Sequence, residues 1–184
     1  IHHLLFDETD IKNYRTFFKL RPPLRSNSDK LFLLQNIKDS TLDTISSFHL
    51  PQDEESKRLP FEKAAFGAIG LQTLLPACLK LVNDKIIDLP QLFRKISLNP
   101  AKILNIKSGI LEEGYFADLV LFDPYKPLLI DRFSLLSKAK NTPFDGYQLF
   151  GKVLKTFVGG EEIYKSRNIN DTWYFKNLGG SSHI

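Results

Sequence analysis

The chain has 184 residues, 42% hydrophobic and 25% charged, with a formal net charge of +4. That is enough chain for a buried core, and the composition is that of a globular protein rather than a disordered one. The basic residues are scattered, which argues for an ordinary surface and against a nucleic-acid footprint. The single cysteine, Cys78, lies in an apolar run. This excludes a disulfide framework and predicts an interior thiol in a reducing compartment. No apolar run reaches the ~18–20 residues of a membrane span, and no signal peptide is visible, so a cytoplasmic location is expected. The chain has no methionine and opens directly on the apolar stretch Ile1 to Phe6. It is therefore expected to be the C-terminal piece of a longer protein.

Residues 1–6 read as a strand. Asp7 or Thr9 is placed to cap a helix through Ile11, Tyr14, Phe17 and Phe18. The prolines at 22 and 23 demand an extended loop. Ser26 to Asp29 caps a second helix that carries Leu31, Leu34 and Ile37 on one face. Leu42 to Phe48 reads as a buried strand, and 52–59 as a charged surface loop with a possible lid role. The spacing over 69–82 predicts a packed helix, with Pro76 as a kink or a boundary. Asp88 caps a helix over 89–96 with Pro90 in its first turn, and Asn99-Pro100 opens a third short helix. After Ser108-Gly109 short strands dominate. One ends at Asp123-Pro124, another is expected over 128–132, a short helix over 133–139, and a hairpin over 151–165 that turns at Gly159-Gly160. Two regions follow, 1–107 and 108–165, with a polar tail over 166–184. The tail carries an aromatic island at Trp173-Tyr174-Phe175 and is expected to dock loosely or fray.

Several of these stretches together resemble the dihydroorotase group of the amidohydrolase superfamily. They are Asn99-Pro100-Ala101-Lys102-Ile103-Leu104, the glycines and apolar run from Gly109 to Asp123, Asn141-Thr142-Pro143-Phe144-Asp145-Gly146 and Val158-Gly159-Gly160. His2-His3-Leu4, Pro22-Pro23-Leu24-Arg25 and Pro60 to Thr73 fall in the same order. The resemblance covers nearly the whole chain and corresponds to the C-terminal half of such an enzyme. It implies an α/β fold: the last strands and helices of a (β/α)8 TIM barrel, then part of a small β-sandwich. It also implies zinc-dependent opening of the cyclic amide of dihydroorotate, with the metal polarising the carbonyl and activating a water. In the family an aspartate at the end of the eighth strand is both metal ligand and general base.

Carried over residue by residue, the resemblance puts Phe48 where that aspartate belongs. Gln52 stands where a substrate-binding histidine belongs, and Arg21 replaces a substrate-contacting asparagine. Phe66-Gly67 keeps the family's backbone contact to substrate. The family's histidine ligands lie upstream of Ile1, so no metal ligand is expected in this chain and zinc is expected to be absent or held elsewhere. A phenyl ring neither ligates zinc nor accepts a proton, and Asp53, Glu54 and Glu55 read as solvated loop acids. His49 is expected to be packed or hydrogen-bonded, His2 and His3 structural, and His183 without a role. Arg21 either binds an anion bidentately or pairs with Asp53 or Glu54, the pairing being the expectation. Gly67 and Gly70 permit close backbone approach or shape a turn, and Asp118 pins the sandwich turn.

The first expectation is a catalytically dead dihydroorotase-like protein, retained as a structural partner of aspartate carbamoyltransferase in a homo-oligomeric assembly. The alternative is an active zinc-dependent dihydroorotase whose metal ligands lie in a missing N-terminal half. In a third reading the piece is part of a broken or processed chain and depends on that half as a partner to stay soluble. Neither a nucleic acid nor a membrane is expected as partner.

Overall fold

The computed structural model describes residues 1–166. Short helices make up the chain as far as Ile103, and a three-stranded antiparallel sheet closes it.

The opening stretch is a helical turn, α1 (His2–Leu5), not the expected strand. A strand needs a ladder partner, whereas this turn satisfies its own carbonyl through Phe6 N–H to His2 O at 2.9 Å. Asp7 caps the next segment, accepting from Thr9 N while Asp10 reaches back to Asp7 N. The expected single helix is broken. Two 3-10 stretches, Glu8–Tyr14 and Thr16–Phe18, replace it, and the first is itself broken at Lys12 and Asn13, where Asn13 takes φ +53°. The break turns Phe18 into the core, where its ring meets Phe6 edge-on at 5.1 Å.

Helix α2 (Asn27–Lys38) starts at the expected cap, Ser26, with Asp29 completing a capping box. Its expected apolar face is only partly used. Ile37 is buried, but Leu31 and the neighbouring Phe32 are exposed. Leu42 to Phe48 is extended yet forms no named strand. Ile45 N donates to Lys95 O at 3.0 Å, and the sole ladder-like contact is a parallel bridge between His49 and Ala68. Strand-like composition finds no neighbouring strand here among the described residues. The charged segment after it is no loop: Asp53 accepts from Ser56 N at 2.7 Å and starts α3 (Glu54–Arg58).

Helix α4 (Leu74–Asn83) begins later than its periodicity suggests. Pro76 sits in its first turn, where a missing N–H is tolerated, so it neither kinks nor ends the helix. Ala77, Cys78, Leu79 and Leu81 form its buried face. Helix α5 (Leu89–Phe93) has the expected Asp88 cap and first-turn Pro90. It does not stop before the next helix. A π turn, Arg94–Leu98, runs directly into α6 (Asn99–Ile103). Pro100 has no N–H to give the preceding turn, and a wider turn there removes the mismatch.

Strand β1 (Leu119–Leu129) pairs antiparallel with β2 (Gln148–Val158), which pairs with β3 (Glu161–Lys165). Pro124 and Pro127 fall on β1, an edge strand, beside a register shift between Asp123 and Pro127. That is where a sheet accepts proline. Gly159 and Gly160 make the expected hairpin turn, both at positive φ. Asp118 pins it: its Oδ1 accepts from Gly159 N at 2.8 Å. The helix expected over 133–139 does not form. Asp131 accepts from Phe133 N and, through its carbonyl, from the Ser134 hydroxyl, and this holds turns instead. Of the strand expected over 128–132, Leu128 and Leu129 are the end of β1 and the other three residues lie beyond it. Residues 167–184, including the aromatic island, lie outside the described residues.

An aromatic cluster joins the start of the chain to the segment before β2. Phe6 lies 5.0 Å from Phe144 and 5.4 Å from Tyr147, ring centre to ring centre. Much apolar surface is left open between α6 and β1: Ile103, Leu104, Leu111, Phe116 and Leu121 are all more than half exposed. Single exposed leucines are ordinary, but a run of this extent is a surface awaiting a cover. The 184-residue chain produced alone is therefore expected to self-associate in sedimentation velocity. A monomer with a sharp, cooperative melt would overturn this.

Candidate functional site

The segment from Ser47 to Gln52, which ends the extended stretch, meets Phe66 to Ile69 through Leu50 N to Ala68 O at 2.8 Å and through one buried side chain, Asn141, which is 2% exposed. Its Nδ2 donates to Gly67 O at 3.0 Å and to Leu50 O at 3.3 Å, and its Oδ1 accepts from Gln52 N at 3.3 Å. Its own carbonyl accepts from Ile69 N at 3.0 Å. The contact is closer than a side chain at Gly67 would permit. Gly67 has φ +125°, and a Cβ there would stand 2.7 Å from Leu50 O. Gly70 abuts the Ser47 carbonyl in the same way. Both glycines serve close backbone approach, one of the two readings their type left open.

Phe48 occupies the strand end. Its ring is 43% exposed, and its backbone has φ +46°, a left-handed conformation that is rare for a bulky residue and costs about 1–2 kcal/mol. His49 faces the other way. Its Nδ1 accepts from Gly70 N at 3.1 Å and Leu71 N at 3.4 Å, and burial lowers its pKa. It is the hydrogen-bonded structural histidine that was expected.

Gln52 is half-buried, and its backbone is fixed by Asn141. Arg21 does not make the expected ion pair. Asp53 is occupied as the cap of α3, with its pKa lowered by the Ser56 N–H bond, and Glu54 pairs with Arg58 at 2.8 Å. The Arg21 guanidinium lies 5.8 Å from the centre of the exposed Phe66 ring, and the Lys19 ammonium lies 4.6 Å from it. The structure thus brings Arg21 and Phe66 together, and Gly67 and Gln52 meet through Asn141.

Two polar groups behind these positions were missed in the sequence. Lys57 reads there as one charge in a charged run, but it is 4% exposed. Its Nζ donates to Ala65 O at 2.7 Å and Gly67 O at 3.3 Å, and burial, with the nearby Lys19 charge, holds its pKa at about 8. Asn141 was noted as part of a signature, not as the clamp it is. No pattern within its own segment announces either role.

Could these residues hold a metal? Phe48 has no donor atom. Asp53 caps a helix, and the His49 Nδ1 is committed to two backbone amides. Among the described residues no group of three or more His, Cys, Asp or Glu side chains converges. The donor set does not fit a zinc ion.

His2 is 1% exposed and stacks on Phe144 at 5.5 Å. Neither ring nitrogen has a hydrogen-bond partner among the described residues. Burial away from any acceptor holds its pKa down at about 3, against an ordinary 6.5. As pH falls from 6.5 towards 3 the unfolded chain binds a proton that the folded chain refuses. The stability this site contributes is therefore complete above the upper value and is lost on acidification. The His2 ring signals in NMR are expected to keep their neutral-form positions well below pH 6.5, and His2→Phe should flatten the acid arm of the stability profile. A His2 titration midpoint at its ordinary value would refute this.

Asn141→Leu takes the side-chain partner from the Leu50 carbonyl and the Gln52 amide and leaves the Gly67 carbonyl to Lys57 alone, for a loss of about 2 kcal/mol. Denaturation of the natural protein should show it, with faster exchange of the Gln52 amide. Asn141→Asp keeps the acceptor and removes both donors, and should cost nearly as much. A loss in either variant too small to measure would rule out the clamp.

Comparisons with known proteins agree with this geometry. The profile of the amidohydrolase family matches residues 64–163. The chain is 37% identical over 169 residues to a dihydroorotase of Ehrlichia canis, covering 91% of this chain and 38% of that one. It is 41% identical over 164 residues to a dihydroorotase of Syntrophus aciditrophicus, covering 89% and 38%. The chain thus spans well under half the length of these relatives. Among solved structures it resembles an L-hydantoinase (dihydropyrimidinase) from Arthrobacter aurescens, with a TM-score of 0.86 and 28% identity over 94% of this chain and 40% of that one. A D-hydantoinase structure aligns with a TM-score of 0.80 at 23% identity over 88% and 37%, a likeness of fold.

Proposed function

Because the chain belongs to the amidohydrolase family, we propose that it is the C-terminal part of a dihydroorotase-like protein of pyrimidine biosynthesis that no longer performs the ring-opening reaction. In this reading it serves as a structural partner of aspartate carbamoyltransferase. The observation that carries it is Phe48 at the strand end, exposed and in a left-handed backbone conformation. A general base must offer a lone pair within hydrogen-bond reach of the proton it takes. Phe48 offers none, and of the acids that follow it Asp53 caps α3 and Glu54 pairs with Arg58.

The remaining substrate positions divide in two. Asn141 and Lys57 hold the Gly67 carbonyl, which supports a fixed backbone at Phe66 and Gly67. Gln52 and Arg21 have changed chemistry, and Arg21 stands over the Phe66 ring. The scaffold is kept while the reactive group is gone, as expected of a protein retained for what it binds. The open apolar surface between α6 and β1 supports an assembled state.

The alternative, an active zinc-dependent cyclic amidohydrolase, draws on the same preserved Gly67 placement. It requires metal ligands and a base from outside this chain.

The natural protein, purified and incubated with zinc, is expected to bind no stoichiometric metal and to leave dihydroorotate unchanged. Turnover at a rate typical of dihydroorotases would overturn the non-catalytic reading. Phe48→Asp with Gln52→His should raise zinc affinity if the upstream ligands persist. Co-purification is expected to recover aspartate carbamoyltransferase, and its absence from the complexes would remove the partner assignment alone.

A further inference from the structure

A cavity of about 300 Å³ adjoins the site; of the four substrate positions carried over from the family it includes Gln52, and it shares the supporting residues Lys57 and Asn141. It is walled by Arg15, Lys57, Arg58, Arg132, Lys140 and the clamp residue Asn141. Three elements far apart in sequence deliver these cations: the 3-10 region, α3, and the turns before β2.

The two arginines are set in advance. Arg15 and Arg132 reach the same Asp145 oxygen, at 3.1 and 3.7 Å. Both guanidiniums also pack against the Phe17 ring, at 5.1 and 5.2 Å from its centre. One carboxylate cannot satisfy two guanidiniums, each of which carries five donors. Lys57 has no carboxylate partner; its contacts are carbonyl oxygens. The acids on the rim are already spent, Glu54 on Arg58 and Asp53 on the start of α3. The cavity therefore holds more positive charge than its own carboxylates neutralise, and two of its polar side chains, Lys57 and Asn141, are over nine-tenths buried. Its volume is at the small end of ligand pockets.

We propose that this cavity binds a small oxyanion-bearing metabolite, a phosphate or a dicarboxylate, seated on the forks of Arg15 and Arg132. Paired, pre-oriented guanidiniums are the side chains suited to bidentate recognition of either group. The site is independent of the reaction: it requires neither a metal nor an acid at position 48.

The test is calorimetric titration of the natural protein with inorganic phosphate and, separately, with succinate, at constant ionic strength against chloride. Saturable binding of one of them is expected, and the one that binds identifies the class. Arg132→Gln is expected to weaken binding about tenfold, the value of one charged hydrogen bond. Arg58→Gln, at an exposed side chain, should weaken it a few-fold with the fold intact. Glu54→Gln removes a rim carboxylate and frees Arg58, so it should tighten binding, a result that misfolding cannot imitate. Linear, non-saturating heats with both anions, or affinities unmoved in all three variants, would overturn the proposal. Neither result bears on the reading of Phe48.

Discussion

Asn141 is the constraint on which the rest of the structure hangs. One side-chain amide bonds three backbone groups that lie 74 to 91 residues from it along the chain, at Gly67, Leu50 and Gln52. Without it the Gln52 amide and the Leu50 carbonyl would lose their side-chain partner and Gly67 O would keep Lys57 alone, and a buried group left unpaired costs about 1–3 kcal/mol. The segment from Ser47 to Gln52 has no ladder of its own beyond a single bridge. Its position, and so the position of Phe48, is set by a residue from the far end of the chain.

The contacts that fix this segment are made to backbone, not to the side chains at positions 48, 52 and 21. The clamp, the Lys57 ammonium on Gly67 and the His49 acceptor on Gly70 are all contacts to backbone. None of them depends on what stands at positions 48, 52 or 21. Reactive side chains can therefore be replaced without loosening the frame, and a ring can occupy the strand end. The strained φ of Phe48 fits this view, since the surrounding contacts over-determine that backbone whatever side chain it carries.

The same frame concentrates charge. Lysines 57 and 95 are buried with their ammonium groups on carbonyl oxygens, Lys95 on Leu42 O at 2.7 Å. Each ties a helix to an extended segment that has no sheet around it. A cation serves here because carbonyls that no strand neighbour can satisfy need a donor with reach, and a lysine stem is long and apolar enough to cross the core. The depressed pKa of both groups records the cost of that burial. Around the cavity beside Gln52 the same economy leaves guanidiniums in excess of carboxylates.

The caps at Ser26 and Asp88, the Gly159-Gly160 hairpin, the interior Cys78 and the family resemblance were all legible in the sequence, because each depends on residues close together or on a pattern of types. Local pattern failed at Ile1 to Phe6 and at Leu42 to Phe48. Both have strand composition, and neither finds a strand beside it among the described residues, since pairing is a property of two segments and not of one. It failed again over 133–139, where Asp131 draws the backbone into turns. Arg21 illustrates the same limit: charge suggested an acid partner, but helix capping and a nearer arginine had claimed both candidates. The sequence by itself determined the capped starts at Ser26 and Asp88 and the glycine hairpin. Only the tertiary structure decided which side chains hold the strand end, because hydrogen bonds across so long a span of chain leave no local trace.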